Sequence, residues 1–348
     1  MRFRGLFVLS LLASLSACQS TSEIDNNTAS TSPSEESSAL PGEGITIRPG
    51  TSDWIEERYQ AEIINIGLEE LGYEVEDIQE VAYPALHVAV ANGDLDYTPS
   101  HIEKSHANLF DNAGGDETLE RVGTLFPIIK GYQISKAIAD EYQISSLEQF
   151  QDPEIAELFD RDGDGKADLV GCDPGWSCAS AIDHQLDAYE LQDTVEHVQG
   201  QYTVLLADTI TRHQQGEPIF YHAYNPHWIS TVLNPDQDVI WLEVPFTTYP
   251  ADRGTITEAD TTVDGKNLGL LTDSYRVVAS DEFLDANPAA QRWFELVTIP
   301  VADMNAVSLR IEDGENTPED IRRHAEEWVA QNQEQVDQWL EEARQAAL

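Results

Sequence analysis

From Gly44 onward the chain alternates short apolar segments of strand period with longer segments of helical period, and no segment repeats another. Strands interleaved with helices pack as a mixed sheet with helices on its faces, so the fold class is α/β. The first set reads as strand Gly44–Pro49, helix Trp54–Leu71, strand Tyr73–Val81, helix Tyr83–Asn92 and strand Leu95–Thr98. Asp53 is the expected N-cap of the first helix and Gly72 its stop, with Ile55, Tyr59, Ile63, Ile66 and Leu71 as its apolar stripe. A second set begins near Gly131. It holds short helices Ser145–Phe150 and Pro153–Phe159, helices Ala179–Leu191 and Asp208–Gln215, and strands Pro218–Ala223, Val239–Val244 and Tyr275–Ala279. The tail Thr317–Ala347 reads as one helix, striped by Ile321, Ala325, Trp328, Val329, Val336 and Leu340. This length suffices for two cores. A chain that goes out to a second set and returns implies two lobes with a cleft between them: 44–130 and 271–348 in one lobe, 131–270 in the other.

The start of the chain has a different character. Arg2 and Arg4 precede an apolar run, Leu6–Leu15, that is too short to span a bilayer as a mature helix. Leu15-Ser16-Ala17-Cys18 follows, a large apolar residue, two small ones and a cysteine. This is the pattern of a lipoprotein leader, so residues 1–17 are the expected signal peptide and Cys18 the expected lipidation site. Residues 19–43 are rich in Ser, Thr, Asn and Glu and poor in large apolar side chains. Such a segment buries too little surface to offset its ordering entropy, so 18–43 is expected to be a flexible lipidated tether. The chain is then exported and held to a membrane by lipid, on a periplasmic or extracellular face.

The formal charge is −45, and loss of Arg2 and Arg4 with the leader takes the mature chain to −47. That surface repels nucleic acid and anionic lipid, and nucleic acid is excluded as a partner. After Cys18 only Cys172 and Cys178 remain, flanking a Pro-Gly turn; in an exported chain such a pair is expected to be a disulfide.

No Gly-x-Ser-x-Gly, His-Glu-x-x-His, phosphate loop or dinucleotide fingerprint is present, so the chain is not expected to be an enzyme. Asp160-Arg-Asp162-Gly-Asp164-Gly-Lys166-Ala-Asp168 places oxygen donors at positions 1, 3, 5 and 9 of a calcium loop, with Gly165 at position 6. Lys166 would contribute its backbone carbonyl. Position 12 is Gly171 rather than Glu, so the stretch is either a structural calcium site or an Asx-rich surface turn. No other cofactor is required. Pro174-Gly-Trp176-Ser177-Cys178 leads into a helix, where an aromatic face adjoins backbone amides at a positive helix end. Phe220-Tyr221-His222-Ala-Tyr224-Asn-Pro226-His227-Trp228 is an aromatic cluster after a strand. Thr98 to His106 reads as a polar loop after a strand. Aromatic faces attract a quaternary ammonium, and helix amides with a His attract a carboxylate. A zwitterion carrying both groups is a betaine.

At these residues the sequence resembles the substrate-binding proteins of glycine betaine/proline betaine ABC importers. The resemblance runs from Gly44 to the last helix and is most specific at Leu158–Leu169, Gly171–Cys178, Ile182–Leu191, Ala207–Arg212 and Ile299–Asn305. It implies a type II periplasmic-binding-protein fold, two lobes closing on a hinge over a ligand cleft. It also implies a small betaine-like ligand, a membrane permease as partner and a monomer. In that family three Trp cage the trimethylammonium group, while a His and backbone amides hold the carboxylate. By this resemblance Trp176 is one cage wall, Ser177 and Cys178 offer the amides, and His106 is the carboxylate His. The other two cage positions fall on Ile102 and Tyr224, a departure from the pattern for which His101 or Trp228 would compensate. Choline or another onium compound without a carboxylate is the alternative ligand, with Glu103 as the counter-charge.

Overall fold

The computed structural model describes residues 40–174, 176–251 and 255–348, with the side chain of Ser177 left aside. The leader 1–17, Cys18 and most of the tether lie outside the described residues.

One strand organises the molecule. Leu119–Ser135 pairs antiparallel through Leu119–Ile128 with Asp273–Ser280, and through Ile129–Ile134 with Phe220–Asn225. It therefore runs through both halves of a seven-stranded mixed sheet. Tyr97–Ile102 extends the sheet beyond Asp273–Ser280, while parallel Ala167–Val170 and Val195–Val198 extend it beyond Phe220–Asn225. Apolar side chains gather into separate cores on the two halves. One draws on residues 47–126 and 277–343, and the other on 132–244. The architecture is two-lobed α/β, and the long strand is a direct link between the lobes.

The first lobe is built around helix Ile55–Glu70, against which the return helices pack. Trp293 of helix Pro288–Leu296 is fully buried and donates from Nε1 to the Ile64 carbonyl at 3.0 Å. A Cβ on Gly67 would meet the Trp293 ring at 2.1 Å, so the helix needs glycine there. The helix ends where expected: Gly72 has φ +94°, its N–H bonds the Glu69 carbonyl, and that of Tyr73 bonds the Leu68 carbonyl. These are the paired bonds of a left-handed helix stop. Its start differs from expectation, because Trp54, not Asp53, occupies the cap position and no side chain caps it. The Ser52 hydroxyl instead accepts from the Trp54 N–H and donates to Glu57.

Three further expectations are corrected. The tail is two helices, Pro318–Gln331 and Gln333–Ala346. Asn332 keeps the bond from its N–H to the Trp328 carbonyl and adds one from Nδ2, but its backbone leaves helical geometry at φ −109°, ψ 21°, and the ladder breaks there. The break lets the first helix pack on Ile55–Glu70 and the second on Pro288–Leu296. The expected tether does not extend to residue 43, because Gly42 N–H bonds the Leu71 carbonyl and its Cα lies against the Tyr73 ring. The presumed polar loop from Thr98 is strand as far as Ile102, and Thr98, Ser100 and His101 are buried. Among the described residues no helix is long and apolar enough to cross a membrane.

Candidate functional site

Lys130 lies opposite Tyr224 and Tyr132 opposite His222 where the long strand pairs with Phe220–Asn225. Side chains alternate along a strand, so Ile128 and Lys130 share a face with His222 and Tyr224. All four line a cleft of ≈ 380 Å³ to which both lobes contribute.

The second lobe supplies an aromatic wall. Trp176 is 41% exposed and stands at the N-terminus of helix Ser177–Ala188. Its ring centroid lies 5.5 Å from that of Tyr202, which stacks at 5.8 Å on Tyr224, and Tyr224 contacts His227 at 4.6 Å. Tyr202 is the buried backing of this wall, fixed by its hydroxyl bond to the His222 carbonyl. Across the cleft stand Trp54, Phe126 and Tyr275, with Phe126 and Tyr275 packed at 4.9 Å. The Cys172–Cys178 disulfide holds the turn that presents Trp176. The first amides of an α-helix lack intrahelical partners, so those of Ser177 and Cys178 are donors at a positive dipole end.

The cleft also carries charge of both signs. Burial lowers the Lys130 ammonium pKa, and among the described residues no carboxylate lies within ion-pair distance of it. His222 is buried and neither ring nitrogen has a hydrogen-bond partner; burial holds it neutral at about 3. Burial likewise lowers His227 to about 4. On the first lobe Glu56 faces the cleft and accepts from the Ser308 hydroxyl at 3.1 Å, while burial raises its pKa. Glu57 is held by Ser52, Tyr83 and Tyr275 hydroxyls at 2.6, 2.6 and 3.0 Å. Tyr275 thus presents a face rather than a free hydroxyl.

Of the expected ligand residues, Trp176, Cys178, Tyr224 and Ile102 line the cleft. His106 and His101 do not. His106 Nδ1 accepts from the Ile102 N–H at 3.2 Å, and its ring packs on Tyr83 behind the wall. His101 is fully buried against His87. Trp228 does not line the cleft either, since it packs on the second core beside His227. Glu103 is paired with Arg276 at 3.0 Å, and the carboxylates that line the cleft are Glu56 and Glu57. Sequence reasoning missed Lys130, Glu56 and Tyr275. Lys130 did leave a signal, as a lone charge in the apolar run Phe126–Ile134.

The Asp-rich loop is folded as a turn. Asp160 accepts from the amides of Gly163 and Gly165, and Asp168 from that of Arg161. Carboxylate oxygens of Asp160, Asp162 and Asp168 lie within 4.8 Å of one another, a donor set that suits a hard cation. Asp164 accepts from the Lys166 amide, and the Lys166 ammonium donates to the Gln192 carbonyl. A Cβ on Gly171 would meet His197 Nε2 at 1.8 Å, so a Glu at this position would require the His197 ring to move.

Comparison with known proteins identifies the family. Residues 45–331 match the family described as the substrate binding domain of the ABC-type glycine betaine transport system. The chain is 43% identical over 310 residues to the glycine betaine-binding periplasmic protein OusX of Dickeya dadantii, covering 88% of this chain and 92% of that protein. It is 42% identical over 306 residues to the glycine betaine/proline betaine-binding periplasmic protein of Escherichia coli, covering 87% and 92%. The crystal structure of the glycine betaine, L-proline transporter's binding protein from Borrelia burgdorferi superposes with a TM-score of 0.54 at 19% identity, over 87% of this chain and all of that one. At that identity the structural match bears on the fold alone. Family model and relatives together show that this chain belongs to the extracytoplasmic substrate-binding proteins of ABC-type glycine betaine transport systems, a family of solute carriers rather than enzymes.

Proposed function

We propose that the protein captures a small zwitterionic quaternary ammonium solute of the glycine betaine class and hands it to the membrane permease of an ABC importer. One observation carries this: the cleft opposes an aromatic wall with both an unpaired ammonium, Lys130, and a half-buried carboxylate, Glu56. The trimethylammonium group lies against Trp176 and Tyr224, with Tyr275 or Phe126 in place of the wall absent at Ile102. Its carboxylate takes the Ser177 and Cys178 amides, helped by Lys130 and His222 rather than His106. Choline is the second reading, favoured by Glu56. It would leave Lys130 without a counter-charge, which in a closed cleft is costly. Calorimetry is expected to show glycine betaine binding tightly and choline at least tenfold more weakly, and Lys130→Met is expected to narrow that gap. Failure to bind any betaine would reject the reading, and equal binding of choline would reverse its specificity.

The anchor is part of the proposal. A diacylated Cys18 would keep the binding protein near the permease, which raises its local concentration there. Cys18→Ser is expected to release the protein from membranes into the soluble export fraction. Retention on the membrane would contradict the assignment.

A structural calcium in the Asp160–Asp168 loop would offset two of the three negative charges that Asp160, Asp162 and Asp168 bring together. Adding millimolar calcium to chelator-treated protein is expected to raise the melting temperature by a few degrees, and Asp162→Asn to abolish the rise. An unchanged wild-type melting temperature leaves the loop as an Asx turn.

A further inference from the structure

Behind Ile102 three buried imidazoles meet: His87 of helix Tyr83–Ala91, His101 of strand Tyr97–Ile102, and His106 at the start of helix Ala107–Asn112. One ring nitrogen from each lies within 4.8 Å of the others. The tautomers follow from the partners. The Tyr83 carbonyl can only accept, so His87 Nδ1, 2.8 Å away, carries a proton. In the neutral ring Nε2 is then a lone pair, and it faces His101 Nδ1 at 2.9 Å. His106 Nδ1 accepts from the Ile102 N–H, so it is a lone pair too. His101 completes the set with Nδ1–H toward His87, and its Nε2 is fully buried with no hydrogen-bond partner. Burial keeps all three rings neutral, His101 at about 3 and His106 at about 4.

We propose that His87, His101 and His106 form a binding site for a first-row transition-metal cation such as Zn²⁺, separate from the solute cleft. Neutral imidazole is a ligand of choice for zinc, copper and nickel, whereas calcium and magnesium select oxygen. His87 already has the outer arrangement of a metal-bound histidine, one ring N–H donated to a backbone carbonyl and the other nitrogen free to coordinate. On binding, the His101 proton moves from Nδ1 to the unpartnered Nε2, so no net proton is released. His106 exchanges the Ile102 N–H for the metal. Tetrahedral zinc with bonds of about 2.0–2.1 Å sets its nitrogens roughly 3.3 Å apart, so the His87–His101 pair opens by only about 0.4 Å. The Glu57 carboxylate, one hydroxyl away through Tyr83, and Asp273, whose field reaches His106, offset the added charge against that of Arg121 and Arg276.

The test is titration of tag-free, chelator-stripped mature protein with Co²⁺, read by visible absorption, and with Zn²⁺, read by calorimetry and melting temperature. The expected result is one saturable site of micromolar or tighter affinity with the visible bands of nitrogen-bound cobalt. His87→Gln and His101→Gln are each expected to weaken it at least 100-fold, with circular dichroism and solute binding confirming that the variants fold. Asp160→Asn with Asp162→Asn is expected to leave it unchanged. Absence of saturable binding, or binding that survives the His changes and is lost with the Asp changes, overturns the proposal.

Discussion

Trp176→Ala is expected to lower glycine betaine affinity by about 10- to 30-fold while leaving the melting temperature within about 2 °C. A desolvated cation–π contact is worth roughly 2 kcal/mol, and each 1.4 kcal/mol is about tenfold in affinity. The fold is spared because Trp176 is 41% exposed and its backing Tyr202 is anchored independently through the His222 carbonyl. Trp176→Phe keeps an apolar face with a weaker quadrupole and should fall between the two. The reciprocal change, Ile102→Trp, adds an aromatic face at a cleft-lining position and is expected to tighten binding by up to about tenfold. Calorimetry on the three variants checks the series. Undiminished affinity in Trp176→Ala would remove the aromatic wall from the binding model.

Acidification is the second large effect. In chelator-treated protein, unfolding free energy is expected to fall steeply between pH 6.5 and pH 5. His101 and His222 are held at about 3, and His106 and His227 at about 4, chiefly by burial. An unfolded imidazole titrates near pH 6.5. The folded values are depressed, so as the pH falls the unfolded chain takes up protons that the folded chain refuses. The stability these neutral rings represent is complete above pH 6.5 and is lost progressively until their folded values are reached. Each ring contributes a slope of about 1.4 kcal/mol per pH unit inside that window. Two terms oppose this. Glu56, Glu57 and Glu62 are raised by burial and protonate first in the folded chain. Protonation elsewhere relieves the self-repulsion of a chain at −45. The second is suppressed in 1 M salt, where the Debye length is about 3 Å. Urea unfolding in 1 M NaCl at several pH values measures the slope, and His222→Phe should reduce it by one proton. A slope that His222→Phe leaves unchanged would show that His222 is not buried as a neutral group.

The sequence and the structure agree best where local chemistry decides. The stop at Gly72 follows from a residue that tolerates positive φ, and the turn at Trp176 from a short disulfide loop. The tail's apolar stripe continues through Asn332 and predicts one helix. A stripe is silent about a single residue, Asn332, whose backbone leaves the helical region. The 17-residue strand Leu119–Ser135 went unread because its two halves face different partners, so its pattern has no single period.

For the site, Trp176, Cys178, Tyr224 and Ile102 meet in the cleft, while His106, His101 and Trp228 do not. A motif places His106 four residues from Ile102, but the direction of its ring is set by Tyr83, His87 and the Ile102 amide, which come from other turns of the chain. Lys130, Glu56 and Tyr275 enter from separate elements and carry no spacing that joins them. By itself the sequence determined the class of fold, the aromatic–disulfide turn and the family, because each rests on contacts between near neighbours. Only the tertiary structure decided which charges face the solute and which histidines turn away from it. Those depend on burial and on partners from other elements, from Tyr83 beside His106 to Ser308, 252 residues from Glu56.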